Sequence, residues 1–346
     1  MFVYHKIESN IMKINTKLSF ITILFGILFL FSMNPILKAQ DDKEVSRDSS
    51  ILKADKRLPI LNNFRFIPSD VVRDPFINTF VKLNVGSGAA LDLKTYVKNL
   101  QGNVFDTLSG NLSYLSGEIE FQYAVNDWLA FSGSYGGAAR LGSNAYTLLT
   151  SGISYTTGFT LGGKIRIWEN DKMFLSGSID YSSTEVNLYS IYNFVKEVYE
   201  SGGNIDTSKN LLLEKDNLSK AFINLNYAYA PTDWFGILGI AGFGVGGVFN
   251  GKDKGNVRLG AAASVDFLNV KSISFPIGVQ ASLRYNSFSE SGEDVNNLIT
   301  LGFRIGYTGH KDFDIGLENT YTNLNYKKND QRIKTILTAF KMRYYF

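Results

Sequence analysis

Glu118 and Glu120 are the first residues to test for chemistry, because two carboxylates on one face can divide acid and base work. Their i, i+2 spacing arises by default wherever a strand alternates its faces, so as a glycosidase-like pair they carry little signal. The sequence contains no cysteine and two histidines, His5 and His310. That removes thiolate metal sites and disulfide frameworks, and no Cys/His metal spacing or nucleotide loop occurs. "GFGVGG" at 242–247 is glycine-rich, but it lies inside a strand-like run with no helix after it, so it does not cradle phosphate. No metal or cofactor is expected. A formal net charge of +3 without a basic nucleic-acid motif gives no reason to expect nucleic acid as a partner. What remains is a set of charges at alternate positions. The cations are Lys82, Arg140, Lys164, Arg166, Lys220, Arg258, Arg284, Arg304, Lys341 and Arg343; the anions are Glu118, Glu120, Asp180, Asp266, Asp314 and Glu318.

The elements that carry them have period two, the signature of strands with two unlike faces. "ISYTTGFTLGGKIRI" sets Ile153, Tyr155, Phe159, Leu161, Ile165 and Ile167 against Thr156, Thr160, Lys164 and Arg166. "VRLGAAASVDF" and "LITLGFRIGY" behave alike, with Arg258, Asp266 and Arg304 on the polar side. Twelve such segments are predicted: 78–91, 112–125, 128–140, 153–168, 172–184, 218–230, 234–249, 256–268, 272–286, 297–308, 312–325 and 332–346. Short connections fall at "NDW", "END", "TDW", "LNVK" and "GHKD", and longer ones alternate with them.

Alternation fits a secreted soluble sandwich, with its apolar face inward, or a transmembrane barrel, with that face turned to lipid. The apolar faces are nearly free of charge, and one Lys or Arg at the midplane of a lipid face costs about 2–4 kcal/mol. Trp128, Trp168 and Trp234 adjoin short turns, with Tyr307 and Phe346 also near segment ends, where amphipathic rings suit a bilayer interface. The unequal connections match barrel asymmetry. These points favour an all-β, antiparallel, up-and-down transmembrane barrel of twelve strands, with fourteen as the alternative if 185–217 adds a hairpin.

The last segment, "AFKMRYYF", alternates Phe340, Met342, Tyr344 and Phe346. It resembles the signal by which the barrel-assembly machinery recognises bacterial outer-membrane β-barrel proteins of the porin and transporter type. The resemblance covers 78–346 and identifies no subfamily. It implies an outer-membrane location, lipid around the apolar belt and the assembly machinery as a partner. Outer-membrane lipases, deacylases and proteases mostly use a histidine on the outer-leaflet side, where this sequence offers none, so no enzyme is expected.

Upstream, Lys13 and Lys17, the apolar run Leu18–Met33 and the small Ala39 give the order of a secretory signal peptide over 1–39, with Met12 as a second candidate start. Residues 40–77 read as a periplasmic extension or a plug. Within loop 185–217, Leu188, Ile191, Tyr192, Val195 and Tyr199 recur at helical spacing, which predicts a short helix in the third outer loop, folded inward as a rival plug. Gly242, Gly244, Gly246, Gly260, Gly278, Gly302 and Gly306 fall on inward faces; such a bare wall admits another segment or widens the lumen. The charges listed above would line that lumen, their positive excess weakly favouring anions, although cross-strand pairing is the plainer role for most of them. The expected function is a channel or transporter for small solutes with a charged lumen that one of these segments occludes; the alternatives are a closed structural or surface-interaction barrel acting through its outer loops and, less favoured, an outer-membrane lipid-modifying enzyme.

Overall fold

The computed structural model describes residues 58–98, 104–141, 152–189, 213–246, 255–290, 294–326 and 331–346. Two short strands, β1 (Ile60–Leu61) and β2 (Phe64–Arg65), form a small hairpin. Its turn residues Asn62 and Asn63 have φ of 49° and 63°, the left-handed region that asparagine enters more readily than most side chains. Twelve longer strands follow: β3 (Phe80–Lys98), β4 (Val104–Asn126), β5 (Leu129–Leu141), β6 (Gly152–Glu169), β7 (Met173–Tyr189) and β8 (Leu213–Tyr229). The second half comprises β9 (Phe235–Gly246), β10 (Gly255–Asp266), β11 (Ile277–Glu290), β12 (Asp294–Tyr307), β13 (Phe313–Tyr326) and β14 (Gln331–Tyr345).

Each strand pairs antiparallel with its neighbour in sequence, and β14 pairs with β3 to close the ring. The closing register places Phe340 opposite Val85 and Arg343 opposite Lys82. The Phe346 amide donates to the Thr79 carbonyl at 3.1 Å. Closure leaves no unpaired sheet edge, the condition for placing backbone in hydrocarbon.

Sidedness follows the alternation. Ile223, Ile179, Tyr135 and Phe121 are 54–65 % exposed, whereas Arg304, Glu318 and Lys341 are 1–2 % exposed. Apolar residues face out and ionised ones face in, the reverse of a soluble sandwich and the arrangement of a membrane barrel. Trp128, Trp168, Trp234, Tyr307 and Phe346 are all exposed and lie at the short-turn ends of the strands.

Several boundaries differ from the sequence expectation. The connection expected over 92–111 is largely strand, because β3 and β4 extend past a register shift between Ala90 and Leu93. The short turn expected at 268–271 spans 267–276 instead. Pro276 lacks the N–H a ladder position needs, and the bend is held by Phe267 N–H donating to Ile277 O and Phe275 N–H to Phe267 O. Strands β7 and β8 run into the expected loop 185–217, so Leu188 belongs to β7; the rest of the proposed helix, from residue 190, lies outside the described residues. The barrel has twelve strands, not fourteen.

Candidate functional site

The lumen is occupied by the chain's own residues 58–79. The β1–β2 hairpin sits at the short-turn mouth, where Asn62 donates to the Ala230 carbonyl at 3.2 Å and Arg65 donates to the carbonyls of His310 and Phe313. From there the chain climbs along β11–β13. Gln280 donates to Ile67 O at 2.7 Å, Arg304 donates to Pro68 O, and Ser69 donates to Glu318 Oε1 at 2.8 Å. It turns over at Asp70–Asp74 and returns to the mouth, where Gln122 donates to Asn78 O at 2.8 Å and the Ala124 amide donates to Thr79 Oγ1 at 3.0 Å.

Two kinds of surface hold it. Near the mouth the contact is apolar: Leu61, Phe64, Phe66, Val72, Phe76 and Ile77 pack with Ala130, Phe174, Ala228, Leu238, Ile240 and Ala262 of the wall. The glycines make room for this. A Cβ at Gly236 would strike Phe64, one at Gly278 would strike Ile67, and one at Gly302 would lie 2.7 Å from Val71 Cγ2. At Gly260 the nearest atom is Ile240 Cγ2 at 2.9 Å, with Val72 Cγ2 at 3.2 Å. Gly242 and Gly244 are filled differently, by Asn224 and Phe222 of the adjacent strand.

At the tip the contact is ionic. Asp70 meets Lys82 at 2.7 Å and Lys341 at 2.5 Å, and accepts from Asn84 at 2.8 Å. Arg73 bridges Glu120 at 3.4 Å and Asp180 at 3.2 Å. Asp74 meets Arg343 at 2.7 Å and accepts from Lys164 through its carbonyl at 2.9 Å. Burial pushes the Asp70 carboxyl up, but Lys341 and Lys82 outweigh it and hold the group well below the usual carboxylate range. Asp74 is likewise held low: burial raises it, and Arg343 and Lys164 more than offset that. Glu120, then Asp180 and Glu118, keep the Arg73 guanidinium firmly protonated against its burial.

The remaining charges divide between wall and tip. Lys82 also reaches Glu120 at 2.5 Å and Glu118 at 3.5 Å. The carboxylates of Asp70, Glu118 and Glu120 come within 4.8 Å of one another, and the Lys82 ammonium lies among them as their counter-charge. Within the wall, Arg304 pairs with Asp314 and Lys341 with Glu318. Arg166 pairs with Glu169 by the mouth, and Asp266 accepts from Thr308 at 2.8 Å. Arg140 is half-buried on the inner face of β5. Cross-strand pairing therefore accounts for only part of the set, because Lys82, Glu120, Lys164, Asp180, Lys341 and Arg343 all engage residues 70–74. Sequence reasoning did not single out Asp70, Arg73 and Asp74. The available signal was the second face of β9, where Leu238 and Ile240 break the apolar-out, polar-in rule.

Above the tip, on the long-connection side, lies a cavity of about 200 Å³ lined by Asp70, Val71, Arg73, Phe222, Ile240, Arg258 and Arg284 together with Lys82, Glu118, Glu120 and Asp180. A second, of about 150 Å³, lies beside it against Thr300, Glu318 and Lys341. Asp70 and Val71 of the inner segment line both.

No protein-family model matches the chain, and no curated protein sequence does either. Solved structures of similar shape include an outer-membrane channel from Pseudomonas putida F1, at 9 % identity and TM-score 0.48, covering 82 % of this chain and 100 % of that one. The KdgM porin in complex with disordered oligogalacturonate is similar at 8 % identity and TM-score 0.40, over 76 % and 99 % of the two chains. The outer-membrane protease OmpT from Escherichia coli is similar at 10 % identity and TM-score 0.30, over 78 % and 97 %.

Proposed function

We propose that the protein is a bacterial outer-membrane channel or transporter for small solutes, and that residues 58–79 are its gate. The observation that carries this reading is the chemistry of the lumen. A barrel serving only as a structural anchor could fill its interior with paired wall residues, whereas here an inserted segment and the wall share their charges. Asp70, Arg73 and Asp74 satisfy Lys82, Lys341, Glu120, Asp180 and Arg343 when docked. When undocked they would leave a polar, charged passage that water can fill. Glycines whose missing side chains fit Phe64, Ile67 and Val71 support a built receptacle for that segment. In this reading the signal peptide over 1–39 directs export, the barrel-assembly machinery inserts the barrel, and outer-membrane lipid covers its belt. The protein is not an enzyme.

Planar-bilayer recording tests this. The full chain should show low, infrequent conductance, and a variant lacking 60–75 should show steady large currents. Equal silence from both favours the second reading, a closed structural barrel acting through its outer loops.

A further inference from the structure

Most lumen charges have an opposite partner, which makes the exceptions informative. Among the described residues, Lys220, Arg258 and Arg284 form no ion pair with a carboxylate, and Arg258 stands diagonal to Arg284 across the β10–β11 ladder, whose register sets Gly260 opposite Arg284. Arg258 contacts Asn286 Oδ1 at 3.3 Å and stacks its guanidinium 4.0 Å over the Phe222 ring. Arg284 donates Nη1 to the carbonyls of Asp70 and Val71 at 3.1 and 3.3 Å, and its Nε is buried without a hydrogen-bond partner. The carboxylates lining the same cavity make their ion pairs elsewhere, Glu118 and Glu120 with Lys82, Asp180 with Arg73, and Asp70 with Lys82 and Lys341, so Asp70 and Asp180 attract Arg284 and Arg258 only from beyond ion-pair distance. Half-buried guanidinium groups that make no ion pair keep hydrogen-bond donors available, and guanidinium forks bind oxyanions through charge-assisted hydrogen bonds.

We infer that Arg258 and Arg284, backed by Lys220 and the Phe222 face, form a binding site for a small oxyanion-bearing solute on the outer side of the gate. This deepens the channel reading by naming the charge class of the solute. Carboxylates and phosphates share the chemistry that these forks recognise. Since Arg284 also grips the carbonyls at the gate's tip, an anion taken up there meets the residue that holds the gate from above.

The test is calorimetric titration of the full chain, purified in non-ionic detergent, with citrate and with inorganic phosphate, against choline and glucose as cationic and neutral controls. Saturable binding of one or both anions is expected, and which one binds identifies the source of the oxyanion. Arg258→Gln with Arg284→Gln should weaken that binding about tenfold or more, whereas Arg166→Gln, already paired at the mouth, should leave it unchanged. Heat-modifiable gel mobility reports whether each barrel is folded. If the double variant does not fold, Arg258→Lys decides, with a loss of a few-fold expected. Absence of saturable anion binding, or binding indifferent to these substitutions, overturns the inference. Binding requires no conduction, so it stands or falls apart from the bilayer recordings.

Discussion

Asp70 and Asp74 are where the gate is most easily tested by a single substitution. Each places a carboxylate between two cations of the wall. Removing one partner of a buried pair strands the other, at a cost of about 3–5 kcal/mol where the surroundings cannot relax. Asp74→Asn removes the carboxylate facing Arg343, whose other contacts are the Phe80 and Tyr345 rings and the Tyr345 hydroxyl, so it should raise the open fraction in bilayer recordings, and Asp70→Asn should do the same. The pH dependence has a definite sign. Both carboxyls lie below their ordinary value when docked, while an undocked aspartate in water titrates near ~3.9. Their contribution to docking is therefore complete above that value and is lost as pH falls through the lower docked values. Conductance should stay flat from about pH 8 to pH 5 and rise only below roughly pH 4; a rise near pH 6 would contradict this assignment.

At the scale of elements, the inner segment and the bare stretches of β9–β12 are complementary. Gly278→Leu puts a side chain where Ile67 lies, and overpacking of this kind typically costs about 1–3 kcal/mol. It should displace the segment and open the channel without unfolding the ring. Gly239→Ala is a matched control, since its added Cβ would meet nothing closer than 3.8 Å; its conductance should equal the parent's. The strands themselves were legible in the sequence because lipid and water impose period two on every residue. The connection at 267–276 was not, since Pro276 and the bend before it act locally, without periodicity. The apolar second face of β9, at Leu238 and Ile240, was visible but did not say what covers it, and the roles of Asp70, Arg73 and Asp74 were hidden. Their partners range from Lys82, 12 residues from Asp70, to Arg343, 269 residues from Asp74, and nothing in a linear pattern specifies which residues a segment without regular structure will meet.

Strands β3–β14 form a barrel turned apolar side out, and both consequences are measurable. Ile223, 65 % exposed on the outer wall, should tolerate leucine, whereas Ile223→Arg should destabilise the folded barrel in vesicles by about 2–4 kcal/mol if it sits near the midplane. Denaturant unfolding reads the difference. The central claim is that residues 58–79 lie inside this ring in the resting protein. The absence of native cysteine permits one direct measurement: disulfide formation between Val71→Cys and Gly302→Cys in intact outer membranes, with Val71→Cys and Val85→Cys as the control pair. Residue 302 faces the lumen beside Val71, while Val85 is half-exposed on the outer wall. Near-complete cross-linking of the first pair and none of the second is the predicted result. No cross-linking of the first pair under oxidising conditions, in a barrel shown to be folded, would contradict it.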